Sequence, residues 1–151
     1  MRAKFSPLQL LDFKLLESHY EFIIPKDDEL EPKELFGSYI VEIDFDMGPL
    51  DENGEVQLVT AIEVNIGEES IDGGYKIMVE GGGTFKLNET EEIAESLKNN
   101  LLKFSTLNMM INNLRNIIYQ ITNLGPMGGY LLPPIDITKL LNDKAEEHEA
   151  E

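Results

Sequence analysis

Three consecutive glycines, Gly81-Gly82-Gly83, interrupt an alternating apolar pattern without shifting its phase. Tyr75, Ile77 and Val79 precede them, and Phe85 and Leu87 resume at odd positions. A period of two that survives such a run predicts one long strand, with a bulge or kink expected at the glycines. Upstream, Val56, Leu58, Ile62, Val64 and Ile66 alternate with outward positions, and Thr60 takes the remaining place in that phase. The segment GEESIDGG between the two stretches is turn-rich and polar, as in a connection between antiparallel neighbours. The rest of the chain must pack against this hairpin or extend it.

Leu8 to Ile24 changes phase along its length: Leu8 and Leu10, then Phe13 and Leu15, then Tyr20, Phe22 and Ile24. A strand carrying a bulge accounts for the slip, with a helix over Leu8 to Leu16 alone as the alternative. A charged connection bounded by Pro25 and Pro32 follows. Tyr39, Val41, Ile43, Phe45 and Met47 then share one face, with Glu42, Asp44 and Asp46 on the other. At Asn88 the period changes. Asn88 and Glu91 have capping-box spacing, and Ile93, Leu97 and Leu101 recur every four residues. Leu107, Met110, Ile111, Leu114, Ile117, Ile118 and Ile121 continue a helical stripe, which Ser105 and Thr106 are placed to divide. Gly125 and Pro126 stop it, MGGYLLPP is an irregular connector, and Asp136 is placed to cap a short last helix through Leu140 and Leu141.

Four strands followed by helices give an α+β domain: a four-stranded antiparallel sheet with a long and a short C-terminal helix, helices or a partner subunit covering one face. One domain is expected over residues 1–141, with 142–151 an acidic, flexible tail. The formal charge of −17 disfavours nonspecific attraction to nucleic acid or anionic lipid. Absence of cysteine removes disulfides, thiolate metal sites and cysteine nucleophiles together. No apolar run approaches a membrane span or a signal-peptide core, so a cytoplasmic protein is expected.

The order of these features resembles the SecB family of export chaperones from about Leu8 to Leu141. Gly67-Glu68-Glu69 followed by Tyr75 to Phe85 is similar to the family's Gly-Glu-Glu turn and its strand ending in Gly-Gly-x-Phe. Arg115 in the long helix, then a glycine-containing loop and Leu131-Leu132-Pro133-Pro134-Ile135-Asp136, resembles the segment before the family's final helix. The resemblance implies a homotetramer, arranged as a dimer of dimers, with no cofactor. It implies a holding chaperone that keeps nonnative preproteins competent for export and passes them to SecA.

Residues follow from that resemblance. Phe36, Met109, Met110 and Leu114 are candidates for a client-binding groove, since a holdase needs exposed apolar area and adaptable methionines. Tyr75, Ile77 and Val79 align with the strand face through which protomers associate. Glu17 and Glu21 stand where the family carries acidic residues for SecA, and Met78 replaces a glutamate of that face. The competing reading for each apolar residue is ordinary core, and for the glutamates a solvated edge.

Catalysis is not expected. His19 and His148 are far apart in sequence and lack partners for a catalytic pair or a metal site. Asp44 to Gly54 has the flavour of a calcium loop, but its ligands fall out of register. No GK[ST] follows the glycine run. Within the same fold, a chaperone dedicated to one partner, such as an antitoxin, and an interaction module without chaperone activity are the alternatives.

Overall fold

The computed structural model describes residues 1–26, 30–89 and 92–151. Its elements are β1 (Leu8–Ile23), α1 (Pro32–Gly37), β2 (Val41–Met47), β3 (Glu55–Val64), β4 (Gly74–Leu87), α2 (Glu95–Asn100), a π-helical turn (Leu101–Ser105), α3 (Thr106–Asn123) and α4 (Ile137–Ala150). The strands form one antiparallel sheet in the order β1-β4-β3-β2. The hairpin β3–β4 is its centre, and the α+β architecture is the expected one.

The bulge lies elsewhere than expected. β4 pairs with β3 in one register from Glu55↔Lys86 to Val64↔Ile77, so the glycine run neither bulges nor kinks it. The register shifts occur between β1 and β4, at Leu10/Asp12 and Leu15/Glu17, where the phase of β1 slips. The glycines serve a different end. A Cβ at Gly83 would lie 2.5 Å from Met110 Sδ, and one at Gly81 would lie 2.9 Å from the Phe13 ring and 3.1 Å from Leu114 Cδ2. Bare backbone on the inner face thus forms a saddle into which α3 settles.

That inner face is the core. Tyr75, Ile77, Val79, Phe85 and Leu87 of β4 and Val56, Leu58, Ile62 and Val64 of β3 are buried under Leu107, Met110, Ile111, Leu114 and Ile118 of α3. Their partners on the opposite face, among them Glu63, Lys76 and Glu80, remain partly open. The alternation read from sequence is therefore the inside-outside alternation of the sheet.

Several local expectations change. The helix begins at Glu95 after Ala94, with no side-chain cap; Glu91, the partner proposed for Asn88, lies outside the described residues. Thr106 does not divide the helix. Its hydroxyl donates to the Leu102 carbonyl at 2.6 Å, beside the π-turn joining α2 to α3. Asp136 does cap α4, accepting the Lys139 N–H at 3.0 Å, but α4 runs to Ala150. The segment read as a tail is helical, and Lys144 Nζ lies 2.7 Å from Asp44 Oδ1 of β2.

Two connections shape the end of the sheet. β1 and β2 occupy opposite edges, so the chain between them crosses over and carries α1 beside Gly74 and Tyr75. The β3–β4 turn is organised by Asn65, which is fully buried with φ of 57°. Its side-chain amide donates to the Tyr75 carbonyl at 3.0 Å, and its Oδ1 accepts the Ile71 N–H at 2.8 Å. Asparagine tolerates this left-handed backbone better than most residues.

Candidate functional site

An open groove of about 710 Å³ runs between α1 and the connector that leads from α3 to α4. Pro32 and Phe36 line it from α1, and Met127, Tyr130, Leu131 and Pro133 from the connector, with the charged Glu31 and Lys33 among its lining. Proline opens α1 at its first turn, where a missing N–H costs nothing, and the short helix turns Phe36 towards the connector. The Phe36 ring stacks on Tyr75 at 5.8 Å and 24°, and meets Tyr130 edge-on at 5.3 Å and 69°. Tyr39 completes the cluster, 5.4 Å from Tyr130.

Side chains from the core hold the connector, which has no regular structure of its own. Arg115 Nε donates to the Leu132 carbonyl at 3.0 Å and Nη2 to the Pro133 carbonyl at 3.2 Å, with Asn112 bound to Nη1. Thr122 Oγ1 accepts the Tyr130 N–H at 2.8 Å. Tyr75 Oη accepts the Met127 N–H at 2.9 Å and donates to the Gly128 carbonyl at 2.8 Å. Burial pushes the phenols of Tyr39 and Tyr75 above their ordinary value and that of Tyr130 up to about 12, with neighbouring phenols adding to each shift. All three are neutral near pH 7, so the aromatic cluster behind the groove carries no charge.

Such a surface binds by area and shape. Aromatic rings give large apolar contact at little entropic cost, and Met127 can adapt to different occupants. Its openness suits a chain segment better than an enclosed small molecule.

The sequence-derived candidates separate clearly. Phe36 lines the groove. Met109 is partly buried against the core and is not among the groove's lining residues. Met110 and Leu114 do not belong to a groove: both are fully buried, filling the saddle at Gly83 and Gly81. The interface role of Tyr75, Ile77 and Val79 also requires correction. All three are fully enclosed by their own chain and leave no area for a second copy. Tyr75 instead supports the groove.

Glu17 and Glu21 are exposed on β1, with His19 Nε2 2.8 Å from Glu17 Oε1. They pair across the ladder with Glu80 and Lys76, and Met78 lies opposite His19. Glu80 thus lies two residues from Met78 along the same face. That face continues to a concavity of about 760 Å³ beside α4, lined by carboxylates including Glu42, Glu63 and Glu80.

Pro32, Met127, Tyr130, Leu131 and Pro133 were not expected at a site. Their signal was present, an aromatic and prolines in a connector too apolar for a solvated loop, but only the fold brings them opposite Phe36. Among the described residues, no group of three or more His, Asp or Glu side chains is placed to hold a metal, and no helix is long and apolar enough to cross a membrane.

Among solved structures, the chain is similar to Rv1957 of Mycobacterium tuberculosis, a SecB-like chaperone in complex with a ChAD peptide from the HigA1 antitoxin. The match has 14% identity, covers 85% of this chain and 91% of that one, and has a TM-score of 0.57. A protein of unknown function from Streptococcus agalactiae matches with 11% identity over 85% of this chain and 97% of that one, at a TM-score of 0.48. No protein-family model and no curated protein matches the sequence. The fold is SecB-like.

Proposed function

We propose that this protein is a SecB-like holding chaperone whose groove between α1 and the connector binds extended apolar stretches of nonnative polypeptide. The observation that carries this reading is the groove itself: open, about 710 Å³, and backed by Phe36 and Tyr130. Affinity would come from apolar area, roughly 25 cal/mol per Å² removed from water, a term indifferent to exact sequence. The formal charge of −17 would keep a loaded complex in solution. Binding requires no cofactor and no reaction on the client, so the protein acts without being an enzyme, in the cytoplasm.

Self-association into a dimer of dimers is part of the proposal, with β1 as the contact. This strand is one of the sheet's two edges, and Leu11, Leu15, Leu16 and Tyr20 along it are exposed. An unpaired apolar edge is a template for another strand. Hand-over to SecA, with Glu17 and Glu21 on the docking face, is the further step in an export role.

A specific observation favours a second reading, a chaperone dedicated to one partner: the similar Mycobacterium tuberculosis protein was solved with an antitoxin peptide. Client breadth separates the two. Unrelated clients are diluted from denaturant while light scattering follows their aggregation and the protein is titrated in. Suppression without ATP for several clients supports the general holdase. Suppression of none at several-fold excess removes it and leaves the dedicated chaperone or the interaction module.

A further inference from the structure

Both walls of the groove are tied to one residue that does not line it, and Arg115 and Thr122 hold the connector further along. On one side, the Tyr75 backbone N–H donates to Tyr39 Oη at 2.8 Å, and its ring stacks on Phe36 of α1. On the other, its hydroxyl accepts the Met127 N–H at 2.9 Å and gives its proton to the Gly128 carbonyl at 2.8 Å. The Thr122 carbonyl, at the end of α3, is a second and longer acceptor for that proton, at 3.2 Å.

The anchor is rigid. Tyr75 is fully buried, and its backbone is clamped in the sheet between Phe22 of β1 and the Asn65 side-chain amide, which holds its carbonyl at 3.0 Å. α1 and the connector have no strand or long helix of their own to fix their separation. A phenylalanine would fill the same volume in the core. The hydroxyl is therefore unnecessary for packing, and every hydrogen bond it makes goes to the chain from Thr122 to Gly128.

We infer that Tyr75 is a positioning residue that sets the distance between the two walls of the groove, and through it the groove's grip on a polypeptide; the grip rests on the binding function proposed above. A groove that gains affinity from area must hold its walls at one spacing, because contact falls off steeply once surfaces part by a fraction of an ångström.

The test uses the full chain. With no native cysteine, spin labels attach only at Glu34→Cys and Pro134→Cys, exposed positions on the two walls outside the groove lining. Tyr75→Phe should broaden the label-to-label distance distribution while circular dichroism stays that of the folded protein. It should also weaken binding of a fluorescent, reduced and carboxymethylated protein that remains unfolded, on the order of tenfold. Tyr39→Phe, which frees only the α1 wall, should broaden the same distribution and carries the test should Tyr75→Phe not fold. Ile62→Val, a core change away from the groove, should lower stability and leave the distribution unchanged.

An unaltered distribution in both tyrosine variants would overturn the inference. A broadened distribution with undiminished probe binding would overturn the link to grip. Broadening in a protein whose parent binds no probe would leave Tyr75 its role in the walls and remove the polypeptide-binding function instead.

Discussion

The hydroxyl of Tyr39 accepts the backbone N–H of Tyr75 at 2.8 Å, joining the crossover to the first residues of β4. Gly74 lies directly beneath: a Cβ there would collide with the Tyr39 hydroxyl and Leu35. Both members of the bond are buried, so no water replaces a lost partner. Tyr39→Phe should therefore leave an unpaired N–H and lower unfolding free energy by about 1–3 kcal/mol, measured by urea denaturation. A cost near zero would mean that the crossover is not held by this bond.

Alkali should release the same region. Burial holds the Tyr130 phenol up to about 12, against 10.0 when unfolded. A folded-state pKa above the unfolded one gives stability that is complete below pH 10 and is lost as pH rises through the folded value. Between pH 10 and about 12 the unfolded state ionises first, so stability should fall by about 1.4 kcal/mol per pH unit for this group. Tyr39 and Tyr75 are shifted the same way and act in the same sense. Tyr130→Phe should flatten the slope of thermal midpoint against pH in that window; an unchanged slope would show that Tyr130 titrates as an ordinary phenol.

Thr60 offers the opposite opportunity. It sits fully buried on the inner face of β3, paired with Gly81, and its hydroxyl has no hydrogen-bond partner among the described residues. An unsatisfied buried hydroxyl carries its desolvation cost without return. Thr60→Val keeps the branched shape that a strand prefers and should raise stability by about 1–2 kcal/mol in denaturant titrations. Loss of stability would indicate that the hydroxyl finds a partner in solution.

Much of the fold was legible because alternation reports burial directly. The phase of Val56 to Val64 and of Tyr75 to Leu87 fixed which side chains face α3, and the slip in β1 fixed where its register shifts. The glycine run misled because sequence cannot distinguish a backbone that bends from one that another element approaches; Met110 and Leu114 make that approach. The resemblance placed Tyr75, Ile77 and Val79 at an interface, and their pattern could not decide against it, since apolar alternation is identical whether a helix of the same chain or a second subunit covers it. The groove was half legible. Phe36 stood out in a polar crossover, whereas Tyr130 reaches it only through bonds from Arg115, Thr122 and Tyr75, contacts far apart in sequence.

Self-association distinguishes the two kinds of apolar strand residue. Leu15 and Leu16 on β1 are 44% and 54% exposed, whereas Ile77 on β4 is 0% exposed. Leu15→Lys with Leu16→Lys adds charge to an edge already in contact with water, so the single chain should keep its thermal midpoint apart from any contribution of assembly. Its mass by light scattering should fall towards that of one chain, because like charges would face each other across a paired edge. Ile77→Glu should behave differently: a carboxylate without a partner in the core costs several kcal/mol and should unfold the chain itself. An assembled double-lysine variant would remove β1 as the contact. A folded but dissociated Ile77→Glu variant would return that face to the interface and displace α3 from it.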